Sequence, residues 1–240
     1  MNSVTSAAGT SSSRKPRHYL HRKVVGYLGA SLPVVLVLLN GWRHTPDLNL
    51  ESISAYYYTG GAAVFAGVLS ALAVYLFTYR GNEKKPQEYV HDRVVAVIAG
   101  VAASMVALFP TEAPGPSVVL PWWTEAIGKT HYAVAAILFL SFAYMSLVLF
   151  TKSGKPYRNA IYRLCGVAMV CCLVWIVLAK TKYPGSIFWP EALALEFFAV
   201  SWLVKGQADQ DAVAASGWTL GHVRRSGQAI GRALSAAGRR

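Results

Sequence analysis

The chain has 240 residues, of which 54% are hydrophobic and 14% charged, well below the about 25% charged residues of soluble domains. Its apolar residues come in blocks instead of amphipathic periods, which excludes an ordinary soluble globule. The formal charge of +12 is spread over separate segments, so no groove-sized basic patch forms and a nucleic-acid partner is excluded as well.

In chain order, residues 2–13 are rich in Ser, Thr, Ala and Gly without an apolar period. Residues 1–23 therefore read as a disordered basic leading segment. Six apolar blocks follow, at 24–42, 61–79, 94–109, 131–150, 164–179 and 188–204. A bilayer core of about 30 Å takes roughly 20 helical residues, and a segment in lipid must satisfy its own backbone polar groups. The blocks thus predict an all-α, polytopic bundle of six transmembrane helices over 24–204. The third and fifth blocks are short, and should borrow flanking residues such as Asp92 and Arg163.

Orientation follows from Lys and Arg in the short loops. Nineteen of the 23 fall on one side when six crossings are drawn, leaving Arg43, Lys129, Lys180 and Lys182 on the other. Both termini are therefore expected to be cytoplasmic, and the chain to lie in a cell inner membrane as a multi-pass protein. Block 24–42 exceeds a signal-peptide h-region, and Asn40–His44 lacks a small-x-small cleavage site. It should remain as an anchor. The segment 205–240 is a basic cytoplasmic tail. Leu220, Val223, Ile230 and Leu234 share one helical stripe, which suits an interfacial helix, but Gly217, Gly221, Gly227 and Gly231 disfavour one. Membrane lipids are the expected partners, with anionic lipid at the basic loops and tail.

The outer loops carry most of the candidate chemistry. Tyr56, Tyr57, Tyr58, Trp122 and Trp123 suit the headgroup zone, where an amphipathic ring has one wet end. Ser54, Tyr57, Thr111, His131 and Glu191 fall at one outer level, with Glu196 deeper. A carboxylate at the depth of Glu196 costs roughly 2.5–3.5 kcal/mol, so it should face the bundle interior, pair or stay protonated. Ser54, His131, Glu191 and Glu196 are the candidate catalytic residues, as nucleophile, base and acids. Tyr57, Thr111 and Glu196 are the candidate ligand-binding residues. Each also has a bland reading as a cap, a headgroup contact or an interhelical hydrogen bond.

Asp92 suits the N-terminal turn of the third helix, where its charge complements the dipole. Gly128-Lys129-Thr130 is not a phosphate loop, because position 123, where the earlier glycine should stand, is Trp. Cys165, Cys171 and Cys172 lie in the fifth block and are read as packing residues. With no zinc pattern in the sequence, neither a metal nor a cofactor is expected.

The strings Ser52-Ile-Ser-Ala-Tyr-Tyr-Tyr-Thr59, Ala107-Leu-Phe-Pro-Thr111, His131 and Arg158-Asn-Ala-Ile-Tyr-Arg163 resemble those of an uncharacterised family of bacterial six-helix integral membrane proteins. The resemblance covers about residues 25–206 and implies fold and location, with no activity attached. A fainter similarity, of a Ser and a His near helix ends, connects the chain to alkaline-ceramidase and adiponectin-receptor-type membrane hydrolases. Those have seven helices and a His-x-x-x-His pair on the last, and this sequence has no such pair. Three functions stay open: a noncatalytic protein binding a lipid or membrane partner through an outward-facing polar site, a lipid-modifying hydrolase, and a small-solute or proton-coupled transporter.

Overall fold

Six α-helices account for most of the chain in the computed structural model, which describes residues 15–40, 52–81, 92–113, 120–153, 155–182 and 185–207. They are α1 (Lys15–Asn40), α2 (Ala62–Thr78), α3 (Asp92–Leu108), α4 (Glu125–Tyr144), α5 (Pro156–Thr181) and α6 (Phe188–Lys205). No strand occurs among the described residues. The helices belong to one compact unit, Met1–Gly206. The interfacial-helix expectation for 220–234 lies outside the described residues, as does the disorder expected over 2–13.

The helix ends have local causes. Pro156 opens α5, where a missing N–H costs nothing. Thr124 caps α4, its side chain accepting from the Ile127 N–H. That cap sets the start of α4 at Glu125, six residues before the apolar block begins at His131. Pro110 stops α3 by disfavouring helical backbone in the residue before it. The short third and fifth blocks do extend into their flanks, to Asp92 and back to Pro156. Three helical stretches, Tyr19–Leu39, Glu125–Lys152 and Pro156–Thr181, are long and apolar enough to cross a membrane, and Ala62–Thr78 is a shorter apolar helix.

Each helix packs on the next in sequence, and α6 returns to α1, closing a ring. Neighbours run antiparallel: Gly26 and Gly29 of α1 face Leu203 and Phe198 of α6, and Gly100 of α3 faces Phe77 of α2. A Cβ on Gly26 would stand 2.7 Å from Leu203 Cγ, and one on Gly29 2.8 Å from Phe198 Cδ1. Small residues thus let these backbones approach, the device that replaces hydrophobic drive between helices in lipid. The buried face of α3 shows the same pattern, with Ala96, Ala99, Gly100, Ala102, Ala103 and Ala107.

The centre of the ring is filled by rings of another kind. Phe142 and Phe198 stack at 3.8 Å, and Trp202 meets Phe198, Phe150 and Tyr79 at 6.0, 5.3 and 5.0 Å. Phe150 reaches this column because α4 ends in a π-turn, Met145–Leu149, followed by a 3-10 turn, Phe150–Ser153. Ser146 within the π-turn donates to the Tyr162 carbonyl of α5 at 2.8 Å. Such an inserted turn re-aims the residues that follow it. The ring has two distinct ends, one carrying a 3-10 helix (Ser54–Tyr58) between α1 and α2, the other most of the basic residues among those described.

Candidate functional site

The 3-10 end is organised by backbone groups that lost their helical partners. On either side of Pro110, the carbonyls of Phe109 and Thr111 continue no helix and need donors. His131 Nδ1 lies 2.6 Å from the Phe109 carbonyl. Since a carbonyl only accepts, that nitrogen carries the proton, and Nε2 is the accepting atom of the neutral ring. The Thr111 carbonyl accepts from Tyr58 Oη at 2.6 Å and from Trp123 Nε1 at 3.1 Å. Burial pushes the Tyr58 hydroxyl up to about 12, reinforced by the nearby Tyr57, Tyr132 and Glu112. It therefore remains a donor across the physiological range.

Glu191, in the first turn of α6, ties this end to the loop before α2. Its Oε2 accepts from the Ile53 N–H at 2.6 Å, and the Ser54 N–H is a second donor to the same carboxylate. These are the unpaired donors at the start of the 3-10 helix, and a carboxylate complements them by charge as well as by hydrogen bonding. Within the loop, Ser52 Oγ accepts from the Ala55 N–H at 3.0 Å. Ile53, Ala55 and Tyr56 are buried, with the Tyr56 ring 6.3 Å from that of Phe188. Tyr56 is thus a core residue here and not a headgroup anchor, since the 3-10 turn rotates it under α6. Tyr57 stays half-buried, its ring near Phe65 and Tyr58 at 6.2 and 5.9 Å.

The candidate residues consequently meet in pairs through backbone, not as a catalytic set. Ser54 and Glu191 meet at the Ser54 N–H, and His131 meets Phe109. Among the described residues no hydrogen bond joins Ser54 Oγ to His131, or His131 to Glu191 or Glu196. Thr111 is buried and contributes its carbonyl. His131 is a fully buried second-turn residue of α4, where the sequence places it at the opening of a helix. The signal for the earlier start was the Thr124 cap followed by Glu125 and Lys129, an i,i+4 ion pair at 2.6 Å.

Glu196 lies apart from this cluster. It is half-buried on α6, between Leu193 one turn before and Val200 one turn after, both exposed. The residues that point to the axis of the ring are Phe198 and Trp202. Of the expectations for this carboxyl, facing the interior is therefore corrected: it stands toward the perimeter, beside the α1 interface that Ala199 and Leu203 make. Among the described residues it makes no hydrogen bond or ion pair.

Among the described residues no three His, Cys, Asp or Glu side chains gather into a metal-holding group. Cys165 and Cys172 are buried and Cys171 is exposed, all three free. What this end can do chemically is present a fixed surface of aromatic hydroxyls and tethered backbone. No curated protein and no solved structure matches the chain. A sequence model matches residues 31–206, the whole ring but for the N-terminal part of α1 before residue 31. By that match the chain belongs to a family of unknown function, DUF7103.

Proposed function

We propose that this is an integral inner-membrane protein of six spans with both ends cytoplasmic, which binds a lipid or a membrane partner and performs no chemistry of its own. The observation that carries the reading is the position of Glu196. A carboxyl midway along an apolar helix and turned to its perimeter is costly in hydrocarbon unless something approaches it from outside. A polar side chain from another helix, or a lipid hydroxyl held at that depth, meets this need. The outward-facing end, with Tyr57 half-buried at its rim and Thr111 and Tyr58 locked beneath, offers a separate polar surface for a headgroup or partner loop.

The binding reading is supported over a lipid-modifying hydrolase by the commitments of the polar groups. Glu191 and the Nδ1 proton of His131 are already engaged with backbone. A nucleophile needs its base within hydrogen-bond reach, and the imidazole points to a helix end instead. A transport route through the centre of the ring is filled by the aromatic column of Phe142, Phe198 and Trp202, and Glu196 stands outside it.

The test is native mass spectrometry of the full chain released gently from its own membrane, with Glu196→Leu beside wild type. Wild type is expected to retain a lipid or protein adduct that Glu196→Leu loses. Adduct-free spectra from both, or an adduct held equally by both, would overturn the reading.

A further inference from the structure

The opposite end of the ring carries a second assembly that the function above does not use. Four rings run in contact across it: Tyr79 to Trp202 at 5.0 Å, Trp202 to Phe150 at 5.3 Å, and Phe150 to Tyr162 at 5.6 Å. They come from the end of α2, from α6, from the turn after α4 and from α5, and all four are buried. Cations stand on this floor. Lys205 Nζ is 5.0 Å from the centre of Phe150 and 5.9 Å from that of Tyr162, while the Arg22 guanidinium is 5.8 Å from the centre of Tyr79.

Around Lys205, within electrostatic reach, are Arg22, Lys152 and Arg158 as cations and Asp92 as the carboxylate. Arg158 and Lys205 are buried, at 5% and 7% exposure, and Asp92 at 2%. Arg158 Nε is fixed by Tyr157 Oη at 2.9 Å. Gly81, at φ +69°, folds the end of α2 tightly over Asp92. The cluster so built draws one charged group from each of α1, α3, α5, α6 and the turn between α4 and α5.

Buried charge of one sign needs a counter-charge. Lys205 is the case in point: its ammonium stands on aromatic rings and makes no hydrogen bond or ion pair among the described residues. Cation–π contact with the floor eases the cost of burying an ammonium group but cancels no charge. A second deficit is local: Trp202 Nε1, fully buried in the floor, has no hydrogen-bond acceptor. An indole N–H is a donor only, so the same place that wants negative charge also wants an acceptor oxygen.

We propose that this end of the ring is a phosphoryl-binding site, in which Arg158, Lys205, Arg22 and Lys152 hold a phosphate monoester or diester above the aromatic floor. Arg158 supplies the planar guanidinium that matches phosphate oxygens in pairs, and the lysines act as point charges. Asp92 keeps the cations from repelling one another when the site is empty. The phosphate arrives either on a lipid headgroup, as basic pockets between helices receive it, or free in solution. The site needs no six-span topology and no contact at Glu196, so it stands whether or not the binding function does.

The experiment measures the thermal unfolding midpoint and ligand affinity of the full chain in nanodiscs. One set is phosphatidylcholine alone, the second is equal parts phosphatidylcholine and phosphatidylglycerol, and the third is phosphatidylcholine with potassium phosphate against potassium chloride at equal ionic strength. Stabilisation in the second set identifies a lipid headgroup phosphate, and stabilisation by potassium phosphate identifies a free one. Either is expected to weaken about tenfold in Lys205→Met and in Arg158→Gln, the size of one lost charge-assisted contact. Lys182→Gln, at the other end of the ring, should leave it unchanged. Should the two buried substitutions prevent folding, exposed Lys152→Gln and half-buried Arg22→Gln carry the comparison, with a smaller loss expected of each. No stabilisation by either phosphate source, or stabilisation that survives these substitutions undiminished, overturns the proposal.

Discussion

At the scale of single residues, the 3-10 end is held by side chains that finish what the backbone leaves undone. Glu191 is the clearest case, because it answers two N–H groups on a segment more than 130 residues away in sequence. Replacing it by Ala leaves those donors buried without an acceptor, at a cost of about 1–3 kcal/mol. The unfolding midpoint of Glu191→Ala in detergent should fall accordingly, and Glu191→Gln, which keeps an acceptor oxygen, should fall less. An unchanged midpoint in the Ala variant would mean that the tether does not hold the loop. His131 and Tyr58 do the same work for the end of α3, so that His131, a candidate base in sequence order, is committed to a carbonyl.

At the scale of helices, ring closure depends on how near α1 and α6 can come. Gly26 is in the contact itself, where an added Cβ meets Leu203, whereas Gly67 on α2 has nothing within 4 Å of the same atom. Gly26→Val should therefore destabilise the ring by about 1–3 kcal/mol through overpacking. Gly67→Ala should be neutral or stabilise by up to about 1 kcal/mol, because helix propensity alone changes there. Paired unfolding curves of the two variants check this, and equal effects would show that the glycines serve flexibility and not approach. The π-turn in α4 belongs to this scale too. Its extra residue per turn is what carries Phe150 against Trp202 and Tyr162, and so creates the floor beneath Lys205.

At the scale of the whole molecule, the antiparallel ring segregates charge. An even number of helices in an up-and-down ring brings the start of α1 and the end of α6 to one side, where the described Arg22, Lys152, Arg158 and Lys205 gather. If the ring spans the bilayer as proposed, Trp122→Cys should react with a membrane-impermeant maleimide in intact cells, while Lys152→Cys should react only after permeabilisation. Labelling of Lys152→Cys in intact cells would invert the orientation, and labelling of both would break the six-span reading.

Much of this protein is determined by its sequence alone, for a physical reason. Apolar block length is a one-dimensional property, so all six helices are legible: 61–79 against Ala62–Thr78, 94–109 against Asp92–Leu108, and 188–204 against Phe188–Lys205. Membership of an uncharacterised family is legible in the same way, from short strings. The ends were less so, since α4 begins at a Thr124 cap that an apolar count does not register. What only the tertiary structure decided is which polar groups face one another. Glu191 meeting Ile53, Glu196 turning to the perimeter, Tyr56 going inside, and Lys205 standing over Phe150 all depend on which helices are neighbours and how each is rotated. Rotation within a wholly apolar helix is weakly marked in sequence, because lipid-facing and core-facing positions there carry the same kinds of residue.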